Sequence, residues 1–183
     1  MFRSCLDSRS GPGQNLTATA RIVDSIAAPG PDAAVENETK ETTMTVTTTT
    51  HLNFRGQARE ALDFYASIFG GQVQAFTYGD AHNDADGAVP DQLMWGGFDS
   101  PNGLRLMAFD VPPERPFDRG ADSVFVSVRS DDPEEITRCF EVLAEGGHVR
   151  TPLGPAPWVT PLYGMLDDRF GITWVMDVQT AQG

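Results

Sequence analysis

The sequence predicts an α+β protein made of two βαβββ modules. Three observations lead there. A strand–helix–Gly-Gly–strand pattern runs from Phe54 to Gln74 and returns from Val128 to Arg150, with Phe64 and Phe140 each six residues before their glycine pair. Both intervening segments carry apolar residues at helical spacing, and the segments after each glycine pair are rich in β-branched and aromatic residues with turn signals between them. One strand–helix–strand unit cannot bury both its helix and its sheet face alone, so two copies imply modules sharing a core.

Each element follows from its residues. Val46 to Phe54 is a Thr-rich strand. Gln57 to Phe69 is a helix, since Ala58, Ala61, Leu62, Tyr65, Ile68 and Phe69 fall on one face. Gly70-Gly71 stops it, because glycine accepts the left-handed conformation of a helix end. Val73 to Tyr78 is the next strand, and Gly79 to Pro90 an acidic loop. Gln92 to Phe98 and Leu104 to Phe109 are strands joined by a turn at Ser100-Pro101-Asn102-Gly103. A linker holding Pro112, Pro113 and Pro116 leads to an alternating strand, Ser123 to Val128. Asp132 to Glu145 is the second helix: Asp131 or Asp132 caps it, Pro133 suits its first turn, and Glu134-Glu135 suit its dipole. Val149 to Thr151, Leu162 to Leu166 and Ile172 to Val178 complete the second module. The expected boundaries are module one at 46–110, linker at 111–121 and module two at 122–178, within a domain at 44–180.

Residues 1–43 read differently. Gly11-Pro12-Gly13, Pro29-Gly30-Pro31 and scattered polar residues show no apolar period, so a disordered N-terminal extension is expected, with Met44 as the start of the folded chain. That segment has no apolar stretch of the secretory type, and no run is long enough to span a bilayer. A cytoplasmic protein without a membrane partner is expected.

Composition removes several function classes. The net charge of −13 repels phosphate backbones, which argues against a nucleic-acid partner. No lysine follows residue 43, so Schiff-base chemistry and a phosphate-binding P-loop are excluded from the folded region. Cys5 and Cys139 do not suggest a disulfide framework. Neither a G-x-S-x-G elbow, nor H-E-x-x-H, nor G-x-G-x-x-G occurs. His82 lies among Asp80, Asn83, Asp84 and Asp86 without the ordered spacing of a calcium loop. Asp167-Asp168 read as turn chemistry rather than an acid–base pair.

His51-Leu52-Asn53-Phe54, Gly56-x-Ala58-x-Glu60-Ala61, Phe64-Tyr65 and Phe69-Gly70-Gly71 resemble the opening of PhnB-like proteins. Leu106-Met107, Pro152-Leu153, Tyr163-Gly164-Met165 and Asp168-Arg169-Phe170-Gly171-Ile172-x-Trp174 resemble their closing half. These proteins belong to the vicinal oxygen chelate superfamily, the glyoxalase/bleomycin-resistance/dioxygenase fold. The resemblance covers about residues 46–178 and implies mixed sheets curling into half-open cups, and often a homodimer.

Metal-dependent members of that superfamily draw His and Glu ligands from the first and last strands of each module. Those positions fall here at Thr50 or His51, at Met107, at Ser123 or Val124, and at Val175. Only His51 is a good ligand, whereas a catalytic centre uses about three. No cofactor is therefore expected, a divalent metal being the alternative. The candidate cavity residues are His51, Trp95, Arg105, Met107, Phe125, Trp158, Tyr163 and Trp174. Aromatic and apolar walls with few polar groups suit a small-molecule pocket. Trp95 stands where many PhnB-like sequences have a histidine. Arg105 holds an anionic group if it points inward; its alternation with Leu104 and Leu106 favours outward. The expectation is metal-independent binding of a small hydrophobic or aromatic molecule in the sheet cavity. The alternative is a glyoxalase- or dioxygenase-like metal enzyme, and methyl transfer is not supported.

Overall fold

The computed structural model describes residues 46–156 and 160–179. The 1–43 extension and Trp158 lie outside the described residues. The chain order is β1 (Thr50–Phe54), α1 (Ala58–Phe69), β2 (Gln74–Thr77), β3 (Leu93–Asp99), β4 (Arg105–Asp110), β5 (Val126–Ser130), α2 (Pro133–Ala144), β6 (His148–Ala156), β7 (Thr160–Asp167) and β8 (Thr173–Val178). A short 3-10 turn, Ala85–Gly87, interrupts the loop after β2.

The strands form two separate four-stranded sheets, ordered β1-β4-β3-β2 and β5-β8-β7-β6. In each, the first and last strands of the module pair in parallel and the remaining pairs are antiparallel. The α+β fold of two βαβββ modules is therefore as expected, and the sheets stay open rather than closing into a barrel.

One face of each sheet packs into a core common to both modules. Leu52, Phe54, Leu106 and Ala108 meet Ala61, Leu62 and Tyr65 of α1; Leu166, Trp174 and Met176 join them with Ile136, Phe140 and Leu143 of α2. Trp174 stacks on Phe69 at 5.6 Å and meets Tyr65 edge-on at 5.2 Å, so module-one helix residues close over a module-two strand.

The paired glycines have a physical reason in both copies. Gly70 and Gly146 take φ of 78° and 73°, where a side chain is strained. A Cβ on Gly71 would stand 2.7 Å from the Asp99 carbonyl oxygen, and one on Gly147 would collide with that of Asp167. The first glycine turns the chain; the second lets it pass against the neighbouring strand.

Three boundaries differ from the sequence reading. β1 begins at Thr50 rather than Val46, because β4, its one partner among the described residues, pairs with it only from Leu106 onward. β5 begins at Val126 rather than Ser123, since its partner β8 offers no pairing before Trp174; Val124 is left 74% exposed. β6 runs nine residues through Pro152 and Pro155 instead of three. It is an edge strand with shifted register, where a missing N–H is tolerated.

Two buried carboxylates organise the loops. Asp110 accepts hydrogen bonds from the backbone N–H groups of Gly56 (2.7 Å), Ala58 (3.0 Å) and Leu93 (2.9 Å). It thereby caps α1, whose own N-cap residue Gln57 makes no side-chain cap. Asp132 caps α2 by accepting from Glu134 N–H at 2.9 Å. Asp168, 4% exposed, accepts from Phe170 and Ile172 N–H through one oxygen and from Tyr65 Oη (2.6 Å) and Trp174 Nε1 (2.8 Å) through the other. It ties α1 of module one to β8 of module two. Reading Asp168 as a turn residue captured only the first pair of contacts.

Candidate functional site

The sheet faces turned away from the core carry the candidate site. In the first sheet the strand register aligns Gln74, Gly97, Met107 and His51 in one row across β2, β3, β4 and β1. Beside it, Phe76 stands opposite Trp95, and Phe109 opposite Asn53. Asp99 and Arg105 face each other at the far end. Phe76 and Trp95 are 44% and 38% exposed, far more than aromatic rings with a finished packing surface. A cleft of about 440 Å³ lies on this face, walled by Gln72, Gln74, Trp95, Asp99 and Met107 with Gly97 between them.

His51 is set edge-on to Phe109 at 5.5 Å. Desolvation lowers its pKa below the ordinary imidazole value, which favours the neutral ring. Arg105 lies on the open face, with Nε 3.8 Å from the Asp99 carboxylate, a loose and solvent-exposed pair. Its alternation with Leu104 and Leu106 does point it away from the core, and on this fold that direction is the cleft face.

The second sheet turns Tyr163, Met165, Val175, Ser127 and Asp177 to its own open face. Asp177 is 6% exposed, and Arg129 Nε approaches it at 3.0 Å without hydrogen-bond alignment. The sequence pattern carries no signal for Asp177, because an acid near a strand end reads as surface. A second cavity, about 480 Å³, lies where β1 meets the inter-module linker, with His51, Asn53, Arg119, Asp122, Arg150 and Thr173 among its walls. Arg150 pairs there with Asp122 and Asp167, and Arg119 donates to the Phe170 carbonyl.

Of the candidates, His51, Trp95, Arg105 and Met107 thus share the first open face, and Tyr163 occupies the second. Phe125 precedes β5 and is 38% exposed, outside both rows. Trp174 requires correction: it is fully buried on the helix side, held by Asp168, and lines no open face. The first-strand position of module two also shifts, from Ser123 or Val124 to Ser127, which pairs with Val175 as His51 pairs with Met107. Among the described residues, no three His, Cys, Asp or Glu side chains group as metal ligands.

A family model described as 3-demethylubiquinone-9 3-methyltransferase matches residues 46–176. A Bacillus cereus structure, described as a putative 3-demethylubiquinone-9 3-methyltransferase and PhnB protein, is 28% identical with a TM-score of 0.61; the match covers 73% of this chain and 100% of that one. The chain is a PhnB-like member of the vicinal oxygen chelate superfamily. Protein PA1353 from Pseudomonas aeruginosa is 33% identical to this PhnB-like chain, with a TM-score of 0.66 over 74% of it and 98% of PA1353. A glyoxylase/bleomycin resistance protein/dioxygenase domain from Frankia shares the fold at 13% identity, with a TM-score of 0.53 over 75% of this chain and 99% of that one. No curated protein matches the chain. Among the described residues, no helix is long and apolar enough to cross a membrane.

Proposed function

We propose that this PhnB-like protein binds a small hydrophobic or aromatic molecule on the open face of its first sheet, without a metal ion. The observation that carries the reading is the solvent-facing pair Trp95 and Phe76 beside a 440 Å³ cleft. A cleft of this size with Trp95 and Met107 on its wall suits a small aromatic ligand. The chemistry of the strand positions supports metal independence: His51 stands opposite Met107, and Ser127 opposite Val175, a set with one good donor. A second copy of the chain is the natural cover for the open faces, giving a homodimer. The methyl transfer named in the family description belongs to that description; this sequence has no glycine-rich strand–helix junction for a methyl donor.

Tryptophan emission read against a metabolite library tests the proposal. A ligand that shifts emission in the parent protein and not in Trp95→Phe supports it. Silence across all chemical classes refutes it. Elemental analysis separates the competing metalloenzyme: near-stoichiometric Ni, Zn, Fe or Mn in purified protein would favour that enzyme instead.

A further inference from the structure

The open face of the first sheet has a gap of defined shape, and its rim is not purely apolar. Gly97 sits in the centre of the row, flanked across the sheet by Gln74 and Met107 and along β3 by Trp95 and Asp99. A Cβ placed on Gly97 would stand 2.9 Å from the Leu106 carbonyl oxygen and 3.2 Å from Met107 Cγ. The floor is therefore bare backbone that accepts no side chain. Side chains rise around it on every side, so the space above is a shallow slot. Its walls differ in chemistry. Trp95 offers a flat π-surface and Met107 a polarisable thioether, both suited to an aromatic ring. Gln74 and Gln72 offer amides that donate and accept, and Asp99 adds a solvent-exposed carboxylate held only loosely by Arg105, 3.8 Å away.

We infer that this slot takes a flat bicyclic heteroaromatic molecule with a donor–acceptor edge of lactam type, its ring against Trp95 over Gly97 and its polar edge toward Gln74. This rests on the binding reading above and names the ligand class within it. A purely apolar ring would set the Gln74 amide against hydrocarbon, whereas a lactam edge gives it a partner. A tall or branched ligand would not lie against the glycine floor.

Two flat bicyclic probes of similar size test the inference: quinazolin-4-one, which has the lactam edge, and naphthalene, which lacks it. Affinities are read by calorimetry on the full chain, for the parent protein, Gln74→Leu and Trp95→Leu. Quinazolin-4-one should bind about tenfold more tightly than naphthalene, the scale of one or two net hydrogen bonds. Gln74→Leu should bring that ratio close to one with naphthalene affinity kept, and Trp95→Leu should weaken both probes together. Gln74 is exposed on a short strand, and an unchanged thermal transition for Gln74→Leu shows that the fold is intact. If Gln74→Leu does melt early, Gln72→Leu replaces it with the same expectation. Equal or tighter naphthalene binding in the parent protein overturns the inference and leaves the broader binding reading standing. A ratio that survives loss of both glutamines overturns it as well. Binding of neither probe overturns the inference, and the broader binding reading then stands or falls on the metabolite-library test.

Discussion

Replacing Tyr65 with phenylalanine deletes one oxygen from the deepest polar contact between the modules. The hydroxyl donates to Asp168 at 2.6 Å in a site where Tyr65 is fully buried and Asp168 is 4% exposed. Water has no room to substitute, so the carboxylate keeps three donors instead of four. A hydrogen bond to a charged group contributes about 1.5–3 kcal/mol. The ring itself stays packed on Phe170 and Trp174, so no cavity cost is added. For a domain of this size each kcal/mol moves the melting temperature by roughly 3–5 °C, which puts Tyr65→Phe about 5–15 °C below the parent protein. Urea melts followed by circular dichroism give the free-energy difference directly. The pH profile supplies a second readout. Burial, then the charge of Asp168 and its hydrogen bond, push the Tyr65 pKa far upward, against a lowering by Arg119. The folded protein thus holds this proton more tightly than the unfolded chain. The corresponding stability is complete below about pH 10 and falls as pH rises further. Tyr65→Phe should flatten that alkaline decline in part, Tyr78 being shifted in the same direction and left in place. A loss under about 0.5 kcal/mol, with the alkaline limb unchanged, would refute the claim that Asp168 fastens the two modules.

Other expectations follow from the same contacts. Asp110→Ala orphans three backbone donors at the start of α1 and β3; at about 1–3 kcal/mol for each buried unsatisfied group, little folded protein should remain at 37 °C by circular dichroism. Gly147→Ala should lose about 1–3 kcal/mol in urea melts through collision with the Asp167 carbonyl, while Gly154→Ala, whose nearest contact is 4.0 Å away, should stay within about 0.5 kcal/mol. His51 should titrate in an NMR series below the ordinary imidazole value, because desolvation lowers its pKa. The unfolded chain then binds the proton more readily, so His51→Asn should reduce the stability lost as pH falls through that range.

What the sequence revealed and what it hid have separate physical causes. The helices and glycine pairs were legible because their signals are local: apolar spacing on one face, and a turn that only glycine makes without strain. Strand ends were less so, because they depend on where a partner strand begins. Ser123 to Val128 alternates well, yet β5 starts at Val126 because β8 offers no pairing earlier. The side on which Trp174 falls was hidden because Trp174, Val175 and Met176 are all apolar, and alternation cannot be read from three such residues in a row. Gly96-Gly97 hides the parity of Trp95 for the opposite reason, since the two residues that follow it have no side chain. Asp168 shows its turn contacts locally, but its bond to Tyr65 spans 103 residues and depends on the fold.

The most direct test of the account is calorimetric titration of indole into the full chain, before and after exhaustive chelation and dialysis. Binding with the same affinity in both samples, lost in Trp95→Leu, is the expected result. Binding that vanishes on chelation and returns with a divalent ion would contradict the account and place a metal at the centre of this protein's chemistry.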